Sequence, residues 1–454
     1  MKVLLVSANT VQEPFPVYPL GLDYVAGAIA DRHAVRCLDL NCLTEELSLE
    51  RAVQAFGPEI IGLSLRNVDN TDSRDPKGFM GDYRRLVQRL RRCSHAPIVL
   101  GGSGFTLFPD ETLALLGADY GIVGEGERLA ALLEALAAGQ DPGGLPGVAT
   151  RNGRKGAWLS VAPEPWPLQV HRRFDPGADH LGFYLQNGGM LNLQTKRGCP
   201  FRCVYCSYPH IEGRAMRRVP AGEVAAMALR LQAAGARYLF ITDSAFNADI
   251  AHSLAVAHAF KAQGLAIPWG AFFAPIALPD DYFQAMAACG LKHVEFGTES
   301  LNDAVLEAYG KPFRRREVEA AHAAAVAAGL HVAHYFLFGG PGETEETLAD
   351  ALAHIDKLER TVLFLFCGMR IYPHTGLYEI ALRQGQITAF QSIMDPVFYH
   401  SPGISLSTIS RRLDEHARGR ENWVHAAGGE AAVRIMRRMY RRGRSGPLWE
   451  YLVR

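Results

Sequence analysis

Short apolar runs alternate with longer stretches of helical spacing along most of the chain, and the elements follow from that alternation. Residues 2–8 read as a buried strand, and Leu20 to Ala30 carries apolar residues at helical spacing. The pattern repeats through Ala34–Asp39, a helix near residues 44–56, Glu59–Leu65, a helix over residues 79–92, Pro97–Gly102 and Ala118–Gly124. The strands are apolar enough for a parallel sheet covered on both faces. Five such strands with helices between them predict an open doubly wound α/β sheet, whose ligands bind at the carboxyl ends of the strands.

Residues 139–188 are rich in Gly, Pro and Trp and alternate poorly, as a domain connection does. From Met190 a second series begins, with strands at Leu191–Thr195, Tyr238–Asp243, Pro268–Ala274, His293–Gly297, His331–Phe338 and Val362–Ile371. Helices rich in Ala and Leu separate them. Six strand-helix units predict a partial (β/α)6 barrel, with catalytic residues at the carboxyl ends of its strands. After Gly385 strands cease and the pattern is helical. The expected organisation is a Rossmann-like domain over residues 1–150, a linker over 151–189, the partial barrel over 190–384 and a helical segment over 385–454.

Composition narrows the class. The chain has 454 residues, and its 47 basic and 47 acidic residues balance, so no whole-chain field draws it to nucleic acid. The amino terminus lacks a secretory pattern, and nowhere do about 18 apolar residues run uninterrupted. A soluble, cytoplasmic protein without a transmembrane segment is expected. In the tail Arg434, Arg437, Arg438, Arg441, Arg442 and Arg444 interleave with Ile435, Met436, Met439 and Tyr440. Most such runs are solvated helix faces; a substrate lid or a peripheral membrane contact stays open. Of eight cysteines, Cys37, Cys42, Cys93, Cys289 and Cys367 are scattered, without a disulfide framework.

The other three stand close together. In Lys196-Arg197-Gly198-Cys199-Pro200-Phe201-Arg202-Cys203-Val204-Tyr205-Cys206 the spacing C-x3-C-x2-C brings three thiols to one centre. Three thiolates can hold three irons of a cubane cluster and leave the fourth iron open to a ligand. The alternative is a structural Cys3His zinc site completed by His210.

Candidate contacts cluster at strand ends. In the first domain these are Ser64, Arg66 and Asn67, then Gly101 and Gly102, then Gly124 and Glu125, where glycine lets the backbone approach a ligand. In the barrel they are Asp243-Ser244, Glu299 within Gly297-Thr298-Glu299-Ser300, and the turn holding Gly339 and Gly340, which Thr344 can cap into a helix. That turn is not a phosphate loop, since no Gly-Lys-Ser/Thr follows. After the last strand come Arg370, able to pair with a substrate carboxylate or phosphate, Tyr372, and His374, able to move a proton. For each of the three the favoured reading is a surface or packing residue.

The cysteine loop, with Tyr205 as the aromatic residue before its last cysteine, resembles that of the radical S-adenosylmethionine (SAM) superfamily. The order of elements ahead of it resembles the cobalamin-dependent branch of that superfamily. The resemblance implies a [4Fe-4S] cluster on Cys199, Cys203 and Cys206, whose open iron chelates SAM, reductive cleavage to a 5′-deoxyadenosyl radical, and an electron donor such as a flavodoxin or ferredoxin. It implies further that Asp243 and Ser244 receive the SAM amino group, although the usual Gly-Gly-Glu is absent, that Glu299 binds the ribose hydroxyls, and that Gly339 and Gly340 lie beside the adenine and methionine groups. The first domain would hold cobalamin without the Asp-x-His-x-x-Gly signature, because Ser7-Ala8-Asn9-Thr10 stands there and no histidine precedes His33. Arg66 is then expected near the lower face of cobalt, with pairing to Asp69 or Asp72 as the competing reading. The implied activity is methylation of an unactivated carbon of a small molecule. A non-methylating radical rearrangement, oxidation or sulfur insertion, and a non-catalytic metal-binding module, are the alternatives.

Overall fold

The computed structural model describes residues 1–12, 15–43, 48–151, 158–160, 172–425 and 429–453. The first sheet holds β1 (Lys2–Ser7), β2 (Ala34–Asp39), β3 (Ile60–Ser64), β4 (Ile98–Gly101), β5 (Tyr120–Ile122), β6 (Val148–Arg151) and β7 (Trp158–Ser160), in the order β2-β1-β3-β4-β5-β6-β7. The first five are parallel and near those predicted, because each is an apolar run buried between helices. The last two are antiparallel and were not anticipated. Strands of four and three residues carry too few positions for a period to show. Their pairing extends the first sheet past residue 150, into the stretch read as linker. The helix expected near residues 44–56 is described from Leu49 to Phe56, capped by the Ser48 hydroxyl and ended by Gly57 in the left-handed region; residues 44–47 lie outside the described residues.

The second sheet is parallel throughout and holds β8 (Met190–Leu193), β11 (Tyr238–Ile241), β12 (Trp269–Phe273), β13 (Leu291–Glu299), β14 (His331–Phe338), β15 (Thr361–Cys367) and β18 (Trp423–His425). Short antiparallel ribbons join β9 (Lys196–Arg197) to β10 (Arg217–Arg218) and β16 (Met369–Arg370) to β17 (Phe398–Tyr399). Six barrel strands fall where predicted. The seventh, β18, pairs with β15 and corrects the expectation of a strand-free tail. Three residues supported from one side only leave no alternation to read. The chain then ends on a 3-10 turn, Leu448–Leu452, whose Trp449 packs with Ala333, Val362 and Phe364 inside the barrel.

The two units share apolar core. Tyr309, Met369, Leu377 and Tyr399 of the barrel side join the cluster formed by Leu65, Val68 and Leu100 of the first sheet. The loop after β3 is therefore seated on the barrel rather than free in solvent. The connection is tied down as well, since Arg172 donates to Asp23 at 2.8 Å with both side chains buried. Among the described residues no helix is long and apolar enough to cross a membrane.

Candidate functional site

The ribbon β9–β10 frames the cysteine loop. Gly198 sits at φ +91°, where a Cβ would fall 2.2 Å from the Ala215 carbonyl oxygen, so glycine is required there. The loop is bolted to the barrel: Val204 N–H donates to Tyr309 O at 2.9 Å, and Leu377 N–H donates to Val204 O at 2.7 Å. Held in this way, Cys199, Cys203 and Cys206 line one cavity of about 380 Å³ at the carboxyl ends of the barrel strands. Burial raises the Cys199 thiol and pushes Cys206 up to about 12. Such thiols would ionise when a bound cation takes the sulfur and the proton is released, as metal-coordinating thiols do. His210 is not on that wall; its ring stacks on His374 at 4.1 Å, so the fourth position of a Cys3His zinc set is not filled by it.

Glu299 also faces the cavity. It stands at φ +66°, beyond a bulge in β13 after Gly297, a conformation that costs of the order of 1–3 kcal/mol and persists only where the surroundings impose it. Those surroundings are Tyr205, whose hydroxyl donates to Glu299 Oε1 at 2.7 Å, and Lys311, whose Nζ lies 3.3 Å from the same oxygen and 3.1 Å from the phenol. Burial opposes the Lys311 charge, but the Glu299 carboxylate outweighs it and raises the pKa. Sequence reasoning missed Lys311. Its only signal is a basic residue directly after Tyr309-Gly310, in a turn where a Cβ on Gly310 would meet Arg202 O at 2.6 Å.

Several expected contacts are placed elsewhere. Asp243 is off the cavity wall and lies beneath the cysteine loop, accepting from Lys196 Nζ, Thr195 N and Thr195 Oγ1 at 2.8, 2.8 and 2.5 Å. A buried ammonium needs a counter-ion, and Asp243 supplies it. Ser244 alone of that pair reaches the cavity, where its buried Oγ has no hydrogen-bond partner. Gly339 and Gly340 are buried and also off the wall. The Gly340 N–H donates to the Tyr309 hydroxyl at 3.1 Å, and a Cβ on Gly340 would lie 2.5 Å from that ring. Thr344 caps the following helix as expected from its position, accepting from Thr347 N.

Arg370 borders the cavity but its charge is spent. It is 5 % exposed, and its Nε donates to Asp69 Oδ2 at 2.8 Å, while its other nitrogens donate to the carbonyls of Ile371 and Ile393 at 2.6 and 2.7 Å. Nothing is left for a substrate anion. Tyr372 lines the cavity with its hydroxyl 3.4 Å from Asp69, and His374 is turned away onto His210. Cys367 is a buried thiol beside Leu406 O and Ser410.

A second cavity, of about 230 Å³, lies between the carboxyl ends of the first sheet and the β9–β10 ribbon. Ser64, Gly101, Gly102, Gly124 and Glu125 line it together with Gln194, Arg197 and Glu212. Gly102, at φ +97°, is demanded by packing within the domain, since a Cβ would lie 2.6 Å from Leu65 O. Arg66 and Asn67 fall outside this wall. The competing reading for Arg66 is not formed: Asp69 is held by Arg370, Asp72 accepts from Arg74 N, and among the described residues the Arg66 guanidinium has no hydrogen bond or ion pair. Arg66 is reached by solvent and Tyr208 is 44 % exposed, yet desolvation lowers the arginine pKa and pushes the phenol up to about 12.

Among known proteins, the radical SAM superfamily model matches residues 193–355 and the B12 binding domain model matches residues 7–134. The chain is 26 % identical to the tryptophan 2-C-methyltransferase of Streptomyces laurentii, over 84 % of this chain and 74 % of that protein. It is 24 % identical to the cytidylyl-2-hydroxyethylphosphonate methyltransferase of Streptomyces wedmorensis, over 86 % and 84 %. The solved radical SAM methyltransferase TsrM of Kitasatospora setae, with cobalamin and a [4Fe-4S] cluster bound, superposes with a TM-score of 0.87 at 23 % identity, covering 99 % of this chain and 97 % of that one.

Proposed function

Because the chain belongs to the radical SAM superfamily, in the branch that carries a B12-binding domain, we propose that it is a cobalamin-dependent methyltransferase acting on an unactivated carbon of a small molecule. Its cofactors are a [4Fe-4S] cluster, SAM and cobalamin. When bound, these groups supply SAM cleavage and carry the methyl group. The observation that carries the reading is the pair of cavities, one with three thiols on its wall at the carboxyl ends of the barrel strands and one at the carboxyl ends of the first sheet.

The protein's own residues hold and orient. Cys199, Cys203 and Cys206 are the cluster ligands, and the unpartnered Ser244 hydroxyl and the Glu299 carboxylate are the groups free to receive SAM. Lys311 holds Glu299 in place, with its Nζ 3.3 Å from Glu299 Oε1. The acceptor meets a wall of Phe272, Tyr335, Phe366 and Tyr372. Both cations on that wall are already paired, Arg370 with Asp69 and Lys311 with Glu299, which favours an apolar or aromatic acceptor face over an anionic one. A reductant of the flavodoxin or ferredoxin class would serve the cluster.

The test is anaerobic reconstitution with iron, sulfide and hydroxocobalamin, followed by product analysis with SAM, a reductant and candidate acceptors, tryptophan first. Methylated acceptor formed with both 5′-deoxyadenosine and S-adenosylhomocysteine is expected. Deoxyadenosine without S-adenosylhomocysteine would move the assignment to a non-methylating radical enzyme.

A further inference from the structure

Barrel interiors are ordinarily filled by layers of branched apolar side chains. Toward its amino-terminal mouth this barrel instead holds charge on β13, with His293 at 0 % and Glu295 at 1 % exposure. Room has been made for it: a Cβ on Gly270 of the neighbouring β12 would lie 2.0 Å from His293 Cε1. Glycine weakens a strand interior, and a buried charge cluster is generally no more stable than apolar residues of the same volume. Stability alone gives no reason for this barrel-bottom cluster. A use is visible at its upper end, where it meets the wall of the thiol-lined cavity.

The two oxygens of Glu295 have separate partners. Oε1 accepts from Trp449 Nε1 at 3.0 Å and lies 3.3 Å from His293 Nε2. Oε2 accepts the hydroxyl proton of Tyr335 at 2.7 Å, and Tyr335 lines the cavity. The lower end of the cluster holds this division in place. His293 Nδ1 is 2.9 Å from Glu450 Oε1, with the Tyr238 hydroxyl bridging the two at 2.6 and 2.5 Å, and Glu450 Oε2 is 3.0 Å from His331 Nδ1. Burial opposes a charge on His293, but its two carboxylate neighbours overcome this and raise its pKa to about 9. Burial and the Glu295 carboxylate keep the Tyr335 phenol protonated, well above its ordinary range. Phe364 stacks on the Tyr335 ring at 4.8 Å and fixes its direction. The single proton of this phenol is thus spent on Glu295, and only lone pairs are left to offer. Tyr372, the other phenol among the aromatic residues of this wall, directs its hydroxyl to Asp69 Oδ1 at 3.4 Å. The cations Arg370 and Lys311 are held by Asp69 and Glu299.

We propose that Tyr335 is a specificity-determining residue, which admits acceptors that bring an N–H or O–H donor to its oxygen and rejects those that bring only a lone pair. That the occupant of the cavity is the methyl acceptor rests on the methyl-transfer reading; the polarity rests on the geometry alone. A lone pair set against the Tyr335 oxygen loses its hydrogen bond to water and gains none in return. A site of fixed polarity discriminates more strongly by a missing hydrogen bond than an apolar pocket does by a missing methylene. Glu295 acts through Tyr335 as a positioning residue, because the Trp449 N–H anchors Oε1 and so turns Oε2 to the phenol. Trp449 comes from the terminal 3-10 turn, so the end of the chain sets the polarity of the cavity. The acceptor class is an aromatic that carries a hydrogen-bond donor on the edge facing Tyr335.

The test uses two probes of one shape, indole, which only donates, and benzoxazole, which only accepts. Each is bound to the reconstituted holoenzyme with SAM present and reductant absent, so that nothing is turned over, and equilibrium dialysis gives the dissociation constants. Indole is expected to bind roughly 10-fold more tightly than benzoxazole. Tyr335→Phe should abolish that preference, and Glu295→Gln should reverse it. The reversal follows because the glutamine oxygen stays on the Trp449 N–H, so its NH2 faces Tyr335 and the phenol proton turns into the cavity. Equal binding in the parent, binding of neither probe, or a preference that survives in Tyr335→Phe overturns the specificity role. Equal weakening of both probes in Glu295→Gln overturns the positioning role. The readout needs no turnover, so an intact preference without any methylated product would strike the methyl-transfer reading alone.

Discussion

The Tyr205 hydroxyl donates to Glu299 Oε1 at 2.7 Å, joining the cysteine loop to the end of the fourth barrel strand. The carboxylate is left with one oxygen outside this bond and faces the cavity. Hydrogen bonds to charged groups contribute about 1.5–3 kcal/mol, so Glu299→Ala should weaken SAM binding by roughly 10- to 150-fold. Calorimetric titration of the reconstituted protein checks it, and an unaltered dissociation constant would remove Glu299 from the SAM site.

The cysteines separate into two classes. Replacing Cys199, Cys203 or Cys206 by Ala should abolish the broad iron-sulfur absorption and SAM cleavage, whereas Cys367→Ala, a buried thiol on β15, should retain both. Full four-iron content in Cys203→Ala would contradict the ligand assignment.

Arg370 and Asp69 have side chains only 3 % and 0 % exposed and bind across the two domains. Removing one charge of a buried pair strands the other, at about 3–5 kcal/mol. Arg370→Ala should therefore lower stability by that amount in denaturant unfolding, and Arg370→Met with Asp69→Asn should recover much of it. A stable Arg370→Ala protein with an impaired KM alone would return the arginine to the substrate.

Arg66, in the exposed part of the loop beyond β3, has no hydrogen bond or ion pair to its guanidinium among the described residues, and the first-sheet cavity has no histidine on its wall. A guanidinium is a very poor metal donor, so cobalamin should bind without a strong lower ligand. Electron paramagnetic resonance of the cob(II)alamin form should lack nitrogen superhyperfine splitting. A histidine-type splitting would refute this, and failure to retain cobalamin would favour the non-methylating alternative.

The barrel-bottom cluster makes stability depend on pH. His293 titrates near 6.5 when free and at about 9 in the fold, so the proton binds more tightly to the native state. Its stabilisation is full below pH 6.5 and is lost as pH rises through 9. Glu450 acts in the opposite sense: its pKa falls from 4.5 to about 2, so its contribution is present above pH 4.5 and is lost as pH falls through 2. Thermal unfolding of His293→Gln should show a flatter Tm between pH 6.5 and 9 than the parent; parallel curves would contradict the raised pKa.

What the sequence determined by itself were features with a local cause. Apolar runs buried on both faces placed five strands of the first sheet and six of the barrel, and three thiols within eight residues of loop had to converge. The inward stripe His293, Glu295, Glu299 went unread, although polar residues stand there at period two in a strand whose alternate positions, Val294 and Phe296, are apolar. Tertiary structure alone decided which polar residues remain free for chemistry. Asp243 neutralises Lys196 and Arg370 neutralises Asp69, whereas Lys311 arrives at Glu299 from another turn. A buried charge takes whichever opposite charge the fold brings within reach, and no spacing along the chain records that choice. The short strands β6, β7 and β18 were hidden for the same reason, since their hydrogen bonds come from edges that exist only once the sheets have formed.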